Sequence, residues 1–337
     1  MAKRGDSGLS MVLGVAKPQG MSSHDVVSQV RRIFGERRVG HAGTLDPFAS
    51  GVLPIFVGPA TRLNKYISSD DKAYVAEISF GTSTTTDDRC GDVLRIGAIA
   101  PSLLDRSHAE EVLASFLGQS MQMPPAFSAI KVNGRKACDE ARKGNIIQLE
   151  PRSITVNSAR LLDIRNDHDS VLWKVGFNVS KGTYIRALAR DIGVRTGVPA
   201  HLSELERTSV GCLGIEDCTP LDILPEVRFG AMVDPVLMLG MKVAFADDDL
   251  ASAVMNGRSV PVDRARICEC HASDSDGTCS CTSTFVTVSE GLHDDEPTAL
   301  ICQNKLAAIC RYDARNGMLK PDCVFQIGVS RGQDIQA

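Results

Sequence analysis

The chain has no apolar run near the roughly 18 residues that a membrane-spanning helix needs, so a helical membrane anchor is not expected. It carries no glycine fingerprint of a dinucleotide site and no phosphate-cradling P-loop, which removes the usual supports for nicotinamide redox and nucleotide-hydrolysing chemistry. The polar start Met1-Ala2-Lys3-Arg4-Gly5-Asp6 is followed by a short apolar stretch without a small-residue cleavage site, which argues against secretion and for a cytoplasmic protein. Regular cysteine spacing is also missing. Eleven cysteines, an odd and scattered set, suit free thiols better than a disulfide framework. There are no internal repeats and no long basic tails.

What is present is an ordinary globular composition, 43% apolar and 23% charged over 337 residues. That length exceeds what a single core usually fills, so a large domain over residues 1–240 and a smaller one over 241–337 are expected. The net charge of −4 hides an asymmetry. Residues 1–200 carry 26 basic against 20 acidic side chains, whereas residues 201–337 carry 11 against 21. The basic first part could meet phosphates.

Periodicity predicts a helix from Ser22-Ser23-His24-Asp25, through Val26, Val27, Val30, Ile33 and Phe34, to a stop at Gly35. The run 51–58 reads as a short buried strand, and 73–81 as a strand with Tyr74, Ala76, Ile78 and Phe80 on one face. Ser107-His108-Ala109-Glu110 has capping-box spacing and predicts a helix continuing through Val112, Leu113, Phe116 and Leu117 to Gly118. Asn133-Gly134 signals a two-residue hairpin, followed by a basic helix over about 136–143. Strands are expected at 153–164 and 171–180. They lead into a helix at 184–192 that places Arg186 and Arg190 one turn apart on one face. Beyond 240 the pattern gives a helix at 246–256 and β-rich pieces at 283–289 and 297–312. Residues 267–297, rich in Cys, Ser, Asp and Gly, read as a solvated insertion.

Chemistry concentrates at Gly40-His41-Ala42-Gly43-Thr44-Leu45-Asp46-Pro47. An Asp before Pro is most often a turn residue, because Pro47 pushes Asp46 out of helical geometry. Against that reading stand Gly40, Gly43 and Gly51, which permit close approach of backbone to a bound group, and the basic pair Arg37-Arg38 upstream. A carboxylate framed in this way suits a nucleophile or base without naming a reaction.

Six blocks give the reaction a name by resemblance. They are Lys17-Pro18-Gln19-Gly20-Met21-Ser22-Ser23, then Gly40 to Pro54 around Asp46, then Asp71-Lys72-Ala73-Tyr74. Pro124-Pro125-Ala126-Phe127-Ser128-Ala129-Ile130-Lys131, Gly182-Thr183-Tyr184-Ile185-Arg186 and Ala200-His201-Leu202-Ser203-Glu204-Leu205 complete the set. In content and order they resemble the TruB family of tRNA pseudouridine-55 synthases, across most of the first 215 residues and more loosely at the end of the chain. The resemblance implies an α+β fold, a mixed and mostly antiparallel sheet with flanking helices, plus a small β-rich PUA-like C-terminal domain with the Cys-rich insertion.

By the same resemblance Asp46 is the catalytic aspartate, in a reaction that detaches uracil from C1′ of its ribose, rotates it and reattaches it through C5. Attack on the sugar, attack on the base and removal of a sugar proton all require the carboxylate ionised. No cofactor or metal is implied. Arg186 should pair with Asp46 and keep it charged, while Tyr74 stacks on the target base. Tyr184 and Leu205 should wall the pocket, His41 should touch the extruded nucleotide, and Lys17 reads as structural support. Reaching a uridine folded into the tRNA T-arm requires flipping it out, at a cost of a few kcal/mol. Arg37, Arg38, Lys131, Arg135, Lys136, Arg142, Lys143 and Lys181 are candidates for contacts to the surrounding phosphates, although each alone reads equally as surface charge.

Residues 319–325 resemble the end of a PUA-like domain, yet the acidic balance there argues against strong RNA binding. Cys268-Glu269-Cys270-His271 and Cys279-Ser280-Cys281 bring four thiols and an imidazole together, but Cys-x-Cys pairs strain tetrahedral zinc ligation and the family implies no metal. A zinc base deaminase would use a His-x-Glu such as His108-Ala109-Glu110, but the Pro-Cys-x-x-Cys partner is missing. A non-catalytic T-arm chaperone would not need Asp46, Tyr74 and Arg186 together. A guide-directed, dyskerin-like synthase fits poorly with the missing basic tails. The expectation is a stand-alone monomer acting on tRNA without guide RNA.

Overall fold

Ser22 stops the chain from running straight into its first helix: its hydroxyl accepts from the Asp25 amide while the Asp25 carboxylate accepts from the Ser22 amide, a reciprocal cap. Gly35 closes the same helix in the left-handed conformation, φ 66°. This is α1 (Ser23–Phe34), lying between β1 (Met11–Lys17) and β2 (Val39–His41). The apolar run then forms β3 (Ser50–Val57), antiparallel to β1 over its length, and a 3-10 turn at Gly58–Leu63 leads to α2 (Asn64–Ile67). Gly58 is required there: a Cβ would stand 1.9 Å from the Leu9 carbonyl oxygen.

The structure is a computed structural model that describes residues 7–67, 71–128, 130–132, 134–145, 147–167, 169–262, 265–268 and 292–332. The chain falls into two compact units, and these do not follow a linear cut near residue 240. One comprises residues 1–47, 51–68 and 210–337, the other 48–50 and 69–209.

The second unit is built on β4 (Lys72–Phe80), the hairpin β5 (Thr82–Thr84) and β6 (Val93–Ile96), α3 (Arg106–Ala114) and β7 (Gly118–Gln122). A small hairpin of β8 (Lys131–Val132) and β9 (Arg135–Lys136) flanks the predicted 133–134 turn, and α4 (Ala137–Ala141) follows. Then come β10 (Arg152–Asp167), β11 (Ser170–Val179), α5 (Ile185–Thr196) and β12 (Ala200–Val210). Its sheet runs β12-β4-β11-β10-β7, with β4–β11, β11–β10 and β10–β7 antiparallel. Tyr74, Ala76, Ile78 and Phe80 are all buried on one face of β4, as the alternation predicts. Phe80 meets Trp173 edge-on at 4.6 Å, and the Trp173 indole donates to the Leu103 carbonyl.

The first unit resumes with β13 (Leu213–Gly214), β14 (Thr219–Pro220), α6 (Leu224–Val227), β15 (Met232–Val233) and α7 (Pro235–Leu239). β14 adds to β1 in parallel and β15 adds to it antiparallel. A second sheet then forms from β16 (Lys242–Phe245), β17 (Val260–Pro261), β18 (Arg266–Cys268), β19 (Pro297–Cys302), β20 (Lys305–Asp313) and β21 (Met318–Ser330), in the order β17-β21-β20-β19-β16-β18. α8 (Asp248–Met255) packs on it, capped by the Asp247 carboxylate.

β1 and β3 are apolar on both faces because both faces are covered. Met11, Leu13, Val15, Leu53, Ile55 and Val57 join α1 in one core cluster. The alternate residues Val12, Val52 and Phe56 join a second cluster with Val243, Ile301, Ile309, Phe325 and Val329 of the C-terminal sheet.

Several expectations are corrected. The helix expected from Ser107 to Gly118 is capped by Asp105, whose carboxylate accepts from the Ser107 amide, and it ends at Ala114. The expected basic helix shortens to α4, and the chain leaves it through Gly144 at φ 84°, where the Gly144 amide donates to the Ala141 carbonyl and the Asn145 amide to the Glu140 carbonyl. The β-rich piece expected at 297–312 is present, as two strands folded on each other, β19 and β20. The strand expected at 283–289 lies outside the described residues, as do Cys270, His271, Cys279 and Cys281. Among the described residues no helix is long and apolar enough to cross a membrane, no cluster of His, Cys, Asp and Glu could hold a metal, and seven cysteines, Cys90 and Cys323 among them, are free thiols.

Candidate active site

Asp46 sits on the irregular segment between β2 and β3, half-buried, with the flanking residues pinned on both sides. Leu45, 3% exposed, is tied by the Ser23 hydroxyl, which accepts from the Leu45 amide at 2.9 Å and donates to its carbonyl at 3.2 Å. The Pro47 carbonyl accepts from the Gly20 amide at 2.7 Å and from the Lys17 ammonium at 3.4 Å. Lys17 is almost wholly buried and also donates to the Pro18 and Met21 carbonyls, so its charge is solvated by backbone oxygens. That gives Lys17 the supporting place expected of it. Gly43, at φ 66°, supplies the left-handed turn that brings the chain round to Leu45. The Ala42 amide donates to the Pro54 carbonyl, extending the β2–β3 ladder in which His41 stands opposite Ile55.

In the second unit Arg186 lies on the first turn of α5, only 4% exposed. Its guanidinium donates to the Thr86 and Phe127 carbonyls, each at 2.9 Å, and pairs with the Asp88 carboxylate at 3.5 Å. Asp88 is buried too; its carboxylate accepts from the Thr86 hydroxyl and the Cys90 amide, and its carbonyl accepts from the Thr84 hydroxyl. One turn on, Arg190 repeats the pattern. It pairs with Asp87 at 3.1 Å and with Asp191, and donates to the Met123 carbonyl at 2.8 Å. The two arginines predicted to share a face thus each fasten both the turn at 84–90 and the segment 123–127 to α5. Burial pushes the Asp87 carboxyl above its usual value against the pull of Arg190 and Arg186, and burial raises Asp191 likewise.

Tyr74 begins the buried face of β4 opposite Phe177, and Leu205, 6% exposed, lies on β12. Tyr184 is the N-cap of α5. Of the cations expected to meet phosphates, Arg37, Lys131, Arg135 and Lys181 are exposed. Arg38 is exposed as well and donates to the Thr61 hydroxyl. Lys136 belongs to β9, and its side chain is outside the described residues. Arg142 and Lys143 are engaged with local carboxylates. A cavity of about 470 Å³ in the first unit is lined by Thr61, Arg62, Asn64, Lys65 and Cys323, none of which belongs to the predicted set. Its cations hold the C-terminal sheet: Lys65 pairs with Asp322 at 2.9 Å and Arg62 lies over the Phe325 ring.

The sequence reading missed Asp88, because Thr84-Thr85-Thr86-Asp87-Asp88-Arg89 reads as a solvated turn; only burial reveals the ion pair. It also missed Gln122, which holds Tyr184 by both backbone groups.

The model of the TruB family pseudouridylate synthase N-terminal domain matches residues 31–185. A tRNA pseudouridine synthase B of Bacillus cereus is 42% identical over 250 residues, covering 72% of this chain and 81% of the relative. One of Corynebacterium efficiens is 43% identical over 224 residues, covering 66% of this chain and 75% of the relative. Among solved structures, a chain in an H/ACA ribonucleoprotein bound to a substrate RNA containing 2′-deoxyuridine superposes with a TM-score of 0.66 at 22% identity, covering 94% of this chain and 85% of that one. That likeness establishes the fold.

Proposed function

We propose, from the premise that the chain belongs to the TruB family of pseudouridylate synthases, that it converts uridine 55 in the T-loop of tRNA to pseudouridine with Asp46 as the catalytic carboxylate. The coarser activity, tRNA pseudouridine synthesis of the bacterial type, follows from relatives about 40% identical over most of their length. The observation that carries the finer reading is the rigid seat of Asp46: a half-buried carboxylate whose two neighbours are each fixed by two hydrogen bonds. Such a seat suits a group that must meet one atom of a bound nucleotide without reorganising.

In this reading the ionised Asp46 drives cleavage of the C1′–N1 bond, the freed uracil rotates, and a C1′–C5 bond forms as the C5 proton is lost and N1 is protonated. The isomerisation balances without an external oxidant or a second substrate. Arg186 is the cation that keeps Asp46 charged and orients it, and burial of its own contacts makes that cation immobile. Tyr74 stacks on the flipped base, Tyr184 and Leu205 wall its pocket, and His41 contacts the extruded nucleotide. Arg37, Arg38, Lys131, Arg135, Lys136 and Lys181 neutralise phosphates of the T-arm, so binding weakens steeply with salt. Residues 1–240 supply the catalytic domain's residues and 241–337 a PUA-like domain that shares the compact unit of the Asp46 loop. The enzyme works in the cytoplasm as a monomer, without guide RNA or cofactor.

The test is an unmodified tRNA transcript incubated with the protein in the presence of a chelator and without guide RNA, followed by chemical mapping of pseudouridine. Product at position 55 is the expected result. An unmodified T-loop would sink the substrate assignment, and full activity of Asp46→Asn would sink the assignment of the carboxylate.

A further inference from the structure

β7 is the edge strand of its sheet, and its first four residues, Gly118 to Met121, are exposed. Gln122, at its end, is 3% exposed. A buried amide costs free energy unless its donor and acceptor are both satisfied, and here both are satisfied by a single residue. The Gln122 side chain donates to the Tyr184 carbonyl at 3.1 Å and accepts from the Tyr184 amide at 2.9 Å. The geometry is that of a strand pairing in which a side chain takes the place of the second backbone.

Tyr184 is the N-cap of α5, at φ −99° and ψ 112°, and makes no side-chain cap. Its carbonyl also accepts the first helical bond, from the Leu188 amide at 3.1 Å. Gln122 therefore fixes the peptide on either side of the Tyr184 Cα at the junction where the chain turns into the helix. Beyond Gln122, the helix grips the same segment in return, through Arg190 on the Met123 carbonyl and Arg186 on the Phe127 carbonyl.

We infer that Gln122 is a positioning residue for the reaction: it sets the Tyr184 backbone, and through it the stance of the Tyr184 ring against the uracil. The inference rests on the reading of Tyr184 as a wall of the uridine pocket. The amide does not touch the substrate; it acts through Tyr184, and its loss slows the chemical step more than it weakens RNA binding.

Two variants test this. Gln122→Leu keeps the volume and removes both hydrogen bonds. Gln122→Glu keeps the shape; ionised, it still accepts from the Tyr184 amide but repels the carbonyl, whereas protonated it restores both bonds. Single-turnover rates on saturating tRNA transcript should fall about 10- to 100-fold in both variants at pH 8, in line with a small misplacement of a contact group, while the tRNA Kd changes little. Circular dichroism should show both variants folded at the assay temperature. A wild-type rate in folded Gln122→Leu overturns the proposal, as does a tRNA Kd that weakens as much as the rate falls. If Gln122→Leu does not fold, Gln122→Met, which also lacks both hydrogen-bonding groups, takes its place. An active wild type with indifferent variants defeats this inference only; an inactive wild type defeats the reading of the site on which it rests.

Discussion

The backbone of the Asp46 loop and the head group of Arg186 are held in different ways. The loop of Asp46 is fixed through the backbone of its neighbours, by Ser23 on Leu45 and by Gly20 and Lys17 on Pro47. Arg186 is fixed through its own head group, which spans two carbonyls and a carboxylate. A loop pinned through its backbone keeps its pins when a side chain it carries is exchanged, whereas a cation that is itself a cross-link cannot be changed without loosening what it joins.

The sharpest test of that contrast is Asp46→Asn. The pseudouridine-forming rate should fall by roughly 10⁴-fold or more, the scale seen when a reacting group is removed, with a smaller change in melting temperature than Arg186→Lys brings. A large drop in melting temperature would break the comparison from the Asp46 side. Next comes Arg186→Lys, which keeps the charge and loses the fork. The rate should fall about 10²-fold and stability by roughly 2–3 kcal/mol in urea titration, because Asp88 and two carbonyls lose their partner inside the protein. An unaltered urea midpoint would show that the cross-link is not what holds the 84–90 turn.

Smaller still is Ser23→Ala, which attacks the seat of Asp46 rather than the residue. Loss of the Leu45 anchor should cost about 1 kcal/mol of stability and no more than about tenfold in rate. The smallest effect concerns pH. Burial raises the Asp87 carboxyl, so the folded protein holds that proton more tightly than the unfolded chain. Its contribution to stability is therefore fully present below the ordinary carboxylate value and is lost as pH rises through the raised one. Asp87→Asn, tolerable at φ 59°, should remove this dependence. The melting temperature of wild type relative to the variant should rise by a degree or two between pH 7 and pH 4, and a gap that is constant or shrinks toward acid would contradict the assigned direction.

Much of the local structure was legible because it is written in short range. The Ser22 to Asp25 cap, Gly35, the alternation of β4 and the spacing of Arg186 and Arg190 each need only a few consecutive residues, and each appears as read. Asp105 outcompeted Ser107 as the cap of α3 because it stands before the first helical residue with its carboxylate on the Ser107 amide. The partners of the candidate site were less legible for a physical reason. Asp88 is separated from Arg186, and Gln122 from Tyr184, by more than sixty positions, and a carboxylate or amide looks solvated until the fold buries it. The division of the chain was hidden for the same reason. A drop in charge marks the change in composition along the sequence, but not the alternation by which Val12, Val52 and Phe56 were to share a core with residues beyond 240.

That shared core bears on how the protein comes apart. With one face of β1 and β3 packed against α1 and the other against β16, β19, β20 and β21, the last third of the chain is part of the folding unit that carries the Asp46 loop rather than an appendage to it. Denaturant or heat should therefore melt the C-terminal sheet and the Asp46 loop in one cooperative transition, as a single foldon. A protease that trims the C-terminal strands would unseat the Asp46 loop without ever approaching it.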